Sequence, residues 1–385
     1  MAEFLLGVNY WPRASAMAMW RRFDRGEIDE DLARIAGLGL RVIRFFLIWE
    51  CFQPRADTMD RAMLERLDWF LERVGAHGLR AMPTFFTGHM SGVNWLPEWT
   101  LDHTMPAERF RTICAGCEYP YGIGDFYTGA LLEAQRLHVR AVGRRFHRHP
   151  AILAWDLGNE FTNLREPREP QDAAAWSATL TEELREASDL EVTGGTHGED
   201  ITRDRRVRLS SLCAPWAYAT MHGYSVYSDF ARGPTDIEVV PFLAEVTRSC
   251  AGKLVLFSEF GNPTCSSKAG VGCLSEEDMP SYARGVLERL TARGAVGAFW
   301  WCWADYAKEL VSVPPFDLAP HELTFGIVRN DGTEKPVAAE LARFASEHHR
   351  AVLSPRAPIV DEEAYFAALP GVVAPTYAEY VRRCS

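Results

Sequence analysis

Two short segments carry carboxylates where bond-breaking chemistry is easily built. AWDLGNE ends at Asn159-Glu160, and LVLFSEFG places Glu259 on a second apolar run. Each carboxylate stands at the C-terminal end of a segment that reads as a buried strand, with a glycine close by. In a parallel α/β barrel all strand ends open onto one face, and that face holds the active site. Two glutamates distant in sequence would then converge. Cleaving a glycosidic bond requires such a pair: a proton donor for the leaving oxygen and a carboxylate for an oxocarbenium-like carbon.

Glu160 is the candidate acid/base and Glu259 the candidate nucleophile. In a retaining enzyme the two lie ~5–5.5 Å apart. At that spacing an ionised Glu259 is expected to raise the pKa of Glu160 and hold it protonated near neutral pH. Other strand ends supply support. Arg44 is placed to keep Glu259 ionised, and Asn159 to hold a sugar 2-hydroxyl. His222 and Tyr224 form an H-x-Y whose side chains share one strand face; Tyr224 would donate to Glu259 and His222 would orient Glu160. His89 is expected to reach the glycone and Trp301 to floor the sugar site, with Trp303 as its register-shifted alternative. Trp95 and Asn9 complete the substrate-binding candidates. Taken singly, each has a plainer reading as salt bridge or core. The joint placement at the ends of strands two, four, six, seven and eight is what those readings do not predict.

These positions demand eight strands, and the chain offers them at 4–11, 40–49, 79–88, 151–160, 190–198, 218–227, 253–261 and 296–306. They are mostly continuous apolar runs, as expected of strands buried on both faces. Helical patterns lie between them, including 129–147, 171–187, 236–250 and 276–293, and several stop at a glycine such as Gly39 or Gly78. The alternation predicts a (β/α)8 TIM barrel over 1–350, with a C-terminal extension over 351–385 packed on it. A long loop from His89 to about Asp125 follows strand three and would overhang the mouth. Its Trp95, Trp99, Tyr119 and Tyr121 are expected to close one end of the cleft and favour exo-action.

The bulk numbers agree. A chain of 385 residues that is 47% hydrophobic supports a large core. A net charge of -11, with no basic run, argues against nucleic acid or an anionic membrane as partner. No stretch approaches the ~18–20 apolar residues of a membrane-spanning helix. The start, MAEFLLGVNYWP, lacks the pattern of a secretion signal. A soluble cytoplasmic protein with a carbohydrate partner is expected, and nothing fixes its oligomeric state. Nine scattered cysteines suit a reducing compartment. Cys114, Cys117, Cys265 and Cys273 make a poor zinc set, because the second pair is too widely spaced. No metal or cofactor is expected.

With these residues in place, the chain resembles glycoside hydrolase clan A, and within it family 5, the cellulase and β-mannanase family. The resemblance rests on the Arg44 strand, Asn159-Glu160, His222-x-Tyr224, Glu259 before a Phe-Gly turn, and Trp301, and it covers most of residues 4–345. It implies a retaining double displacement, with Glu160 as acid/base and Glu259 as nucleophile. The substrates it implies are β-linked oligosaccharides or small β-glycosides, with a lean to β-mannosides or β-glucosides. GVNYWPR and LIWECFQP are also similar to the β-galactosidases of family 42, so β-galactosidase-like activity is one alternative and a non-catalytic carbohydrate-binding barrel another. A barrel metallohydrolase using His197, Glu199, Asp200, His222 and Glu259 fits less well, since such barrels begin with H-x-H where this chain reads GVNYWP. No G-x-S-x-G, H-E-x-x-H or phosphate-binding loop is present.

Overall fold

A computed structural model describes residues 2–107, 109–265, 272–353 and 356–384. Its central sheet has eight strands: β1 (Leu5–Asn9), β2 (Val42–Ile48), β3 (Arg80–Thr87), β4 (Ala154–Asn159), β5 (Glu191–Gly195), β6 (Ala219–His222), β7 (Val255–Phe260) and β8 (Gly297–Trp300). All neighbours are parallel, running β5-β4-β3-β2-β1-β8-β7-β6. The ring closes between β5 and β6. A parallel bridge joins His197 to His222, the His222 N–H donates to the Thr196 carbonyl at 3.0 Å, and Thr193 Oγ1 donates to the Tyr218 carbonyl at 2.8 Å. The fold is a (β/α)8 barrel.

Burial explains the apolar runs. Every residue of β2 is buried, because the barrel interior covers one face and helices the other. Val42, Met82, Leu256 and Phe299 plug the barrel as a small apolar cluster. Two residues further along their strands the inward positions become Arg44, Thr84 and Ser258, so the interior changes from apolar to polar toward the mouth. Register irregularities at Met221/His222 and within Phe257–Phe260 break the strict alternation at the ends of β6 and β7, where such bulges re-aim side chains.

The outer layer contains α1 (Arg25–Gly37), α2 (Arg61–Ala76), α3 (Gly129–Arg145), α4 (Pro170–Ala187), α5 (Val239–Ala251), α6 (Met279–Ala292) and α7 (Pro336–Ser346). Asp24 caps α1 by accepting from the N–H groups of Gly26 and Glu27, and Asp60 caps α2 through that of Met63. The fifth unit departs from the expected alternation. Only the single turns Glu199–Thr202 and Leu209–Leu212 connect β5 to β6. The C-terminal segment covers this place with α8 (Glu362–Ala367) and α9 (Val373–Cys384). The Arg208 guanidinium sits 4.4 Å from the Phe366 ring, Glu362 accepts from the Ser210 N–H at 3.0 Å, and Tyr377 and Tyr380 pack on Phe242 of α5.

The segment after β3 is more ordered than a loop. It folds into a four-stranded sheet (His89–Met90, Val93–Trp95, Arg111–Cys114, Cys117–Tyr119) and a pair (Leu101–Pro106 with Tyr121–Ile123). Cys114 and Cys117 are free and face each other across a hairpin, whereas Cys265 and Cys273 form a disulfide, contrary to the expectation of reduced thiols. Among the described residues no helix is long and apolar enough to cross a membrane.

Candidate active site

The site is built upward from Arg44. Its side chain is wholly buried on β2 and reaches four neighbours. Nε donates to Asp156 Oδ2 at 2.8 Å, Nη1 to Glu259 Oε1 at 2.5 Å and Asn9 Oδ1 at 3.1 Å, and Nη2 to Asn159 Oδ1 at 2.9 Å. The planar fork ties β1, β2, β4 and β7 together, which a lysine point charge could not do. Asp156 also accepts from Thr84 Oγ1 at 2.8 Å.

Glu259 accepts on both oxygens, from Arg44 and from the Tyr224 hydroxyl at 2.7 Å. Burial pushes its carboxyl above the ordinary value, as does the charge of Glu160, while His222, Arg44 and the Tyr224 hydroxyl oppose the rise. Arg44 and Tyr224 both donate to the Glu259 anion and so stabilise its charged form against burial.

Glu160 reaches the site through an unusual turn. Its backbone is left-handed, with φ 48°, a conformation costing roughly 1–3 kcal/mol for a side chain of this kind and concentrated at functional sites. Its N–H donates to the Gly195 carbonyl at 2.9 Å. A Cβ at Gly195 would lie 2.1 Å from the Gly158 carbonyl oxygen, so only glycine permits this approach of β4 and β5. The Glu160 carboxyl meets His222 Nδ1 at 3.1 Å and accepts from Asn163 Nδ2 at 3.0 Å; His89 Nε2 and His197 Nδ1 stand 3.8 and 4.0 Å away. One oxygen of Glu160, one of Glu259 and a ring nitrogen of His222 all lie within 4.8 Å of one another. That fits the retaining separation and falls well short of the ~6.5–9.5 Å of inverting pairs.

The electrostatics of Glu160 differ from the sequence expectation, which counted Glu259 alone. Burial pushes its carboxyl up, and His197, His222 and His89 pull it below the ordinary value. That pull lasts only while the rings carry charge. Burial holds His89 down to about 4 and His222 below its usual range. With those two rings neutral, the pull that remains on Glu160 is that of His197, the largest of the three.

His89, Asn159, Glu160, His222, Tyr224, Glu259 and Trp301 line one cavity of about 950 Å³, with Arg44 beneath it. Three substrate-binding candidates are not brought to its wall. Asn9 is fully buried; its amide donates to the carbonyls of Ser258 at 2.9 Å and Trp300 at 3.3 Å while its oxygen aims Arg44. Trp303 has left β8 and lies in the core, 5.5 Å from the Arg34 guanidinium of α1. Trp95 is half-buried in the small sheet after β3, packed on the core. The Asn159 amide already donates to the His89 carbonyl at 3.0 Å, which leaves one N–H for a ligand.

Sequence reasoning missed several groups. Asp156 shares a strand face with Glu160 by simple alternation and was findable. Asn163 and Glu322 sit in irregular turns that carry no periodic signal. His197, read only as a possible metal ligand, is held by Thr162: Nε2 lies 3.0 Å from Oγ1, and that hydroxyl donates to Asp200 at 2.6 Å. Glu160, His222 and Glu259 converge closely enough to hold a cation, but the Arg44 guanidinium already occupies Glu259 and would repel a divalent ion.

No family model matches the chain. It is 22% identical over 331 residues to the putative mannan endo-1,4-β-mannosidase 5 of Oryza sativa subsp. japonica, covering 74% of this chain and 63% of that protein. An exo-β-1,4-mannosidase from Opitutaceae bacterium strain TAV5 superposes with a TM-score of 0.75 at 26% identity, covering 89% of this chain and 59% of that one. A GH5_18 variant from Streptomyces cattleya, solved with Manβ1-4GlcNAc, superposes with a TM-score of 0.81 at 18% identity, covering 99% and 91%. The chain thus spans less than two thirds of the rice and Opitutaceae proteins. These likenesses bear out the resemblance to family 5 of clan A; the family 42 features are minor.

Proposed function

We propose that this chain is a retaining glycoside hydrolase that cleaves β-mannosides by double displacement. The observation that carries it is the approach of the Glu160 and Glu259 carboxyls to within 4.8 Å in different environments: a permanent cation on Glu259, and three imidazoles with an amide around Glu160. Glu259 attacks the anomeric carbon and forms an ester as the glycosidic C–O bond breaks; Glu160 protonates the departing oxygen. Glu160 then takes a proton from water, whose oxygen displaces Glu259 and restores both groups. The free N–H of Asn159 is placed for the glycone 2-hydroxyl. Mannosidic relatives favour mannose over the β-galactoside alternative. Action at a chain end is supported by the Arg111–Asp317 ion pair, 2.8 Å between Nη1 and Oδ2, which joins the segments after β3 and β8.

The test is hydrolysis of nitrophenyl β-glycosides (manno, gluco, galacto, xylo, fuco) by wild type and Glu259→Ala. Release from the mannoside by wild type alone is expected. Equal release by both proteins would remove Glu259 as nucleophile. Silence of wild type on these substrates and on manno-oligosaccharides, with binding retained, would leave a carbohydrate-binding barrel.

A further inference from the structure

Among the carboxylates that line the cavity, Glu322 is one that neither chemical step uses. Glu322 lies in the short turn Pro320–Thr324 after β8, is 7% exposed, and lines the cavity with Trp301, Tyr227 and Phe325. Two hydroxyls hold it from different loops: Tyr227 donates to Oε1 at 2.8 Å and Ser91 to Oε2 at 3.0 Å. Among the described residues no arginine or lysine pairs with it. Its basic neighbour is His321, with Nε2 3.6 Å from Oε1; burial lowers that ring below its ordinary value, and it is itself joined to the Tyr227 hydroxyl at 2.8 Å.

A carboxylate has about four acceptor positions; the two hydroxyls fill one on each oxygen, and the Trp301 indole N–H also donates to the carboxylate. One position is left, at the wall of a cavity, on a group that burial without a cation makes costly to leave unsatisfied. The Tyr227 ring lies 5.5 Å from the ring of Tyr224, whose hydroxyl serves Glu259. Glu322 is therefore on the Trp301 and nucleophile side of the site, where the sugar bonded to Glu259 would sit. We infer that Glu322 is a specificity-determining residue: its open acceptor position takes one hydroxyl of the glycone, which selects a terminal sugar with that group free. This rests on the glycosidase reading and names what its glycone pocket recognises.

The experiment compares nitrophenyl β-mannoside with its 2-, 3-, 4- and 6-deoxy analogues, measuring kcat and KM for wild type, Glu322→Gln and Tyr227→Phe. Wild type is expected to lose about 10- to 100-fold in kcat/KM at one of these positions. In Glu322→Gln that penalty should shrink to about 3-fold or less, with the other positions unchanged. Tyr227→Phe, which loosens the carboxylate without removing it, should show a partial loss at the same position, and it decides the matter if the Gln variant fails to fold. Wild-type discrimination persisting in Glu322→Gln, or an even loss on parent and every analogue, would overturn the assignment. Absence of wild-type turnover on the parent β-glycosides would instead overturn the glycosidase reading.

Discussion

At the scale of single residues, Arg44 governs more than it touches. It holds two buried carboxylates and two buried amides with one fork, so losing it strands charge as well as geometry. Arg44→Lys should lower the melting temperature and cut kcat by about 100-fold or more, because breaking a buried pair costs about 3–5 kcal/mol; a kcat within a few-fold of wild type would show the fork to be dispensable. The pH profile reports on Glu259. Its pKa lies above the ordinary carboxylate value and Tyr224 restrains the rise. The anion is the active form, so kcat/KM should fall as pH drops through that raised value. Tyr224→Phe removes the restraint and should move the acid limb to higher pH; a limb that stays in place would separate it from Glu259. Glu160→Ala should retain turnover of aryl glycosides with good leaving groups, which need little protonation, while losing turnover of disaccharides. Equal loss on both would deny Glu160 the role of acid.

At the scale of elements, the strands and their carboxylates were legible and the turns were not. Continuous apolar runs bounded β2, β4 and β7 to within a few residues, because burial on both faces leaves a composition that no surface segment shows. Glu160, Glu259 and the H-x-Y were visible because they interrupt those runs at one end, and Arg44 because it is the one charge within β2. Between β5 and β6 the barrel alternation implies a helix, where the chain instead folds as the single turns Glu199–Thr202 and Leu209–Leu212 covered from the C-terminus; no local pattern announces a covering element so far along the chain. Trp303 and Asn9 were misplaced for a related reason: strand alternation predicts a face, but once β8 ends or a side chain turns inward to bond carbonyls the alternation stops counting. Within α1, Asp31 gives a pH-dependent test. It is fully buried, accepts from the Tyr10 hydroxyl at 3.1 Å, and burial raises its carboxyl from 3.8 to about 6. Below pH 3.8 both folded and unfolded states hold the proton; between there and about 6 the unfolded chain loses it first, so stability falls as pH rises and then levels. Asp31→Asn lacks this decline and should be the more stable protein at pH 7, by up to about 3 kcal/mol, with little difference near pH 4. Calorimetric melting at both pH values checks the sign.

At the scale of the whole molecule, the barrel supplies the two carboxylates and the additions to it supply the shape of the cavity. The extension contributes Pro370, Val373 and Ala374 to one wall, and the small sheets after β3 meet the segment after β8 at another. A cleft open at both ends would admit the middle of a polysaccharide; here the segments after β3 and β8 are bridged by Arg111–Asp317 and, at the cavity wall, by Ser91–Glu322. A partly exposed ion pair contributes only ~0–1 kcal/mol, so Arg111 alone does not hold the bridge. The Ser91–Glu322 contact, half-buried at Ser91 and buried at Glu322, fixes the same two segments to each other at the cavity wall. On the proposed reading this bridge closes the glycone end, and a longer chain is expected to enter with its non-reducing end first. A time course on mannotetraose should therefore show mannose and mannotriose as the first products, with mannobiose appearing only after triose has accumulated. Ser91→Ala combined with Arg111→Ala removes both connections while sparing Glu160 and Glu259, and it should allow mannobiose among the initial products. Mannobiose released by wild type from the first turnover would mean that the chain threads past this bridge, and the closed glycone end would be abandoned.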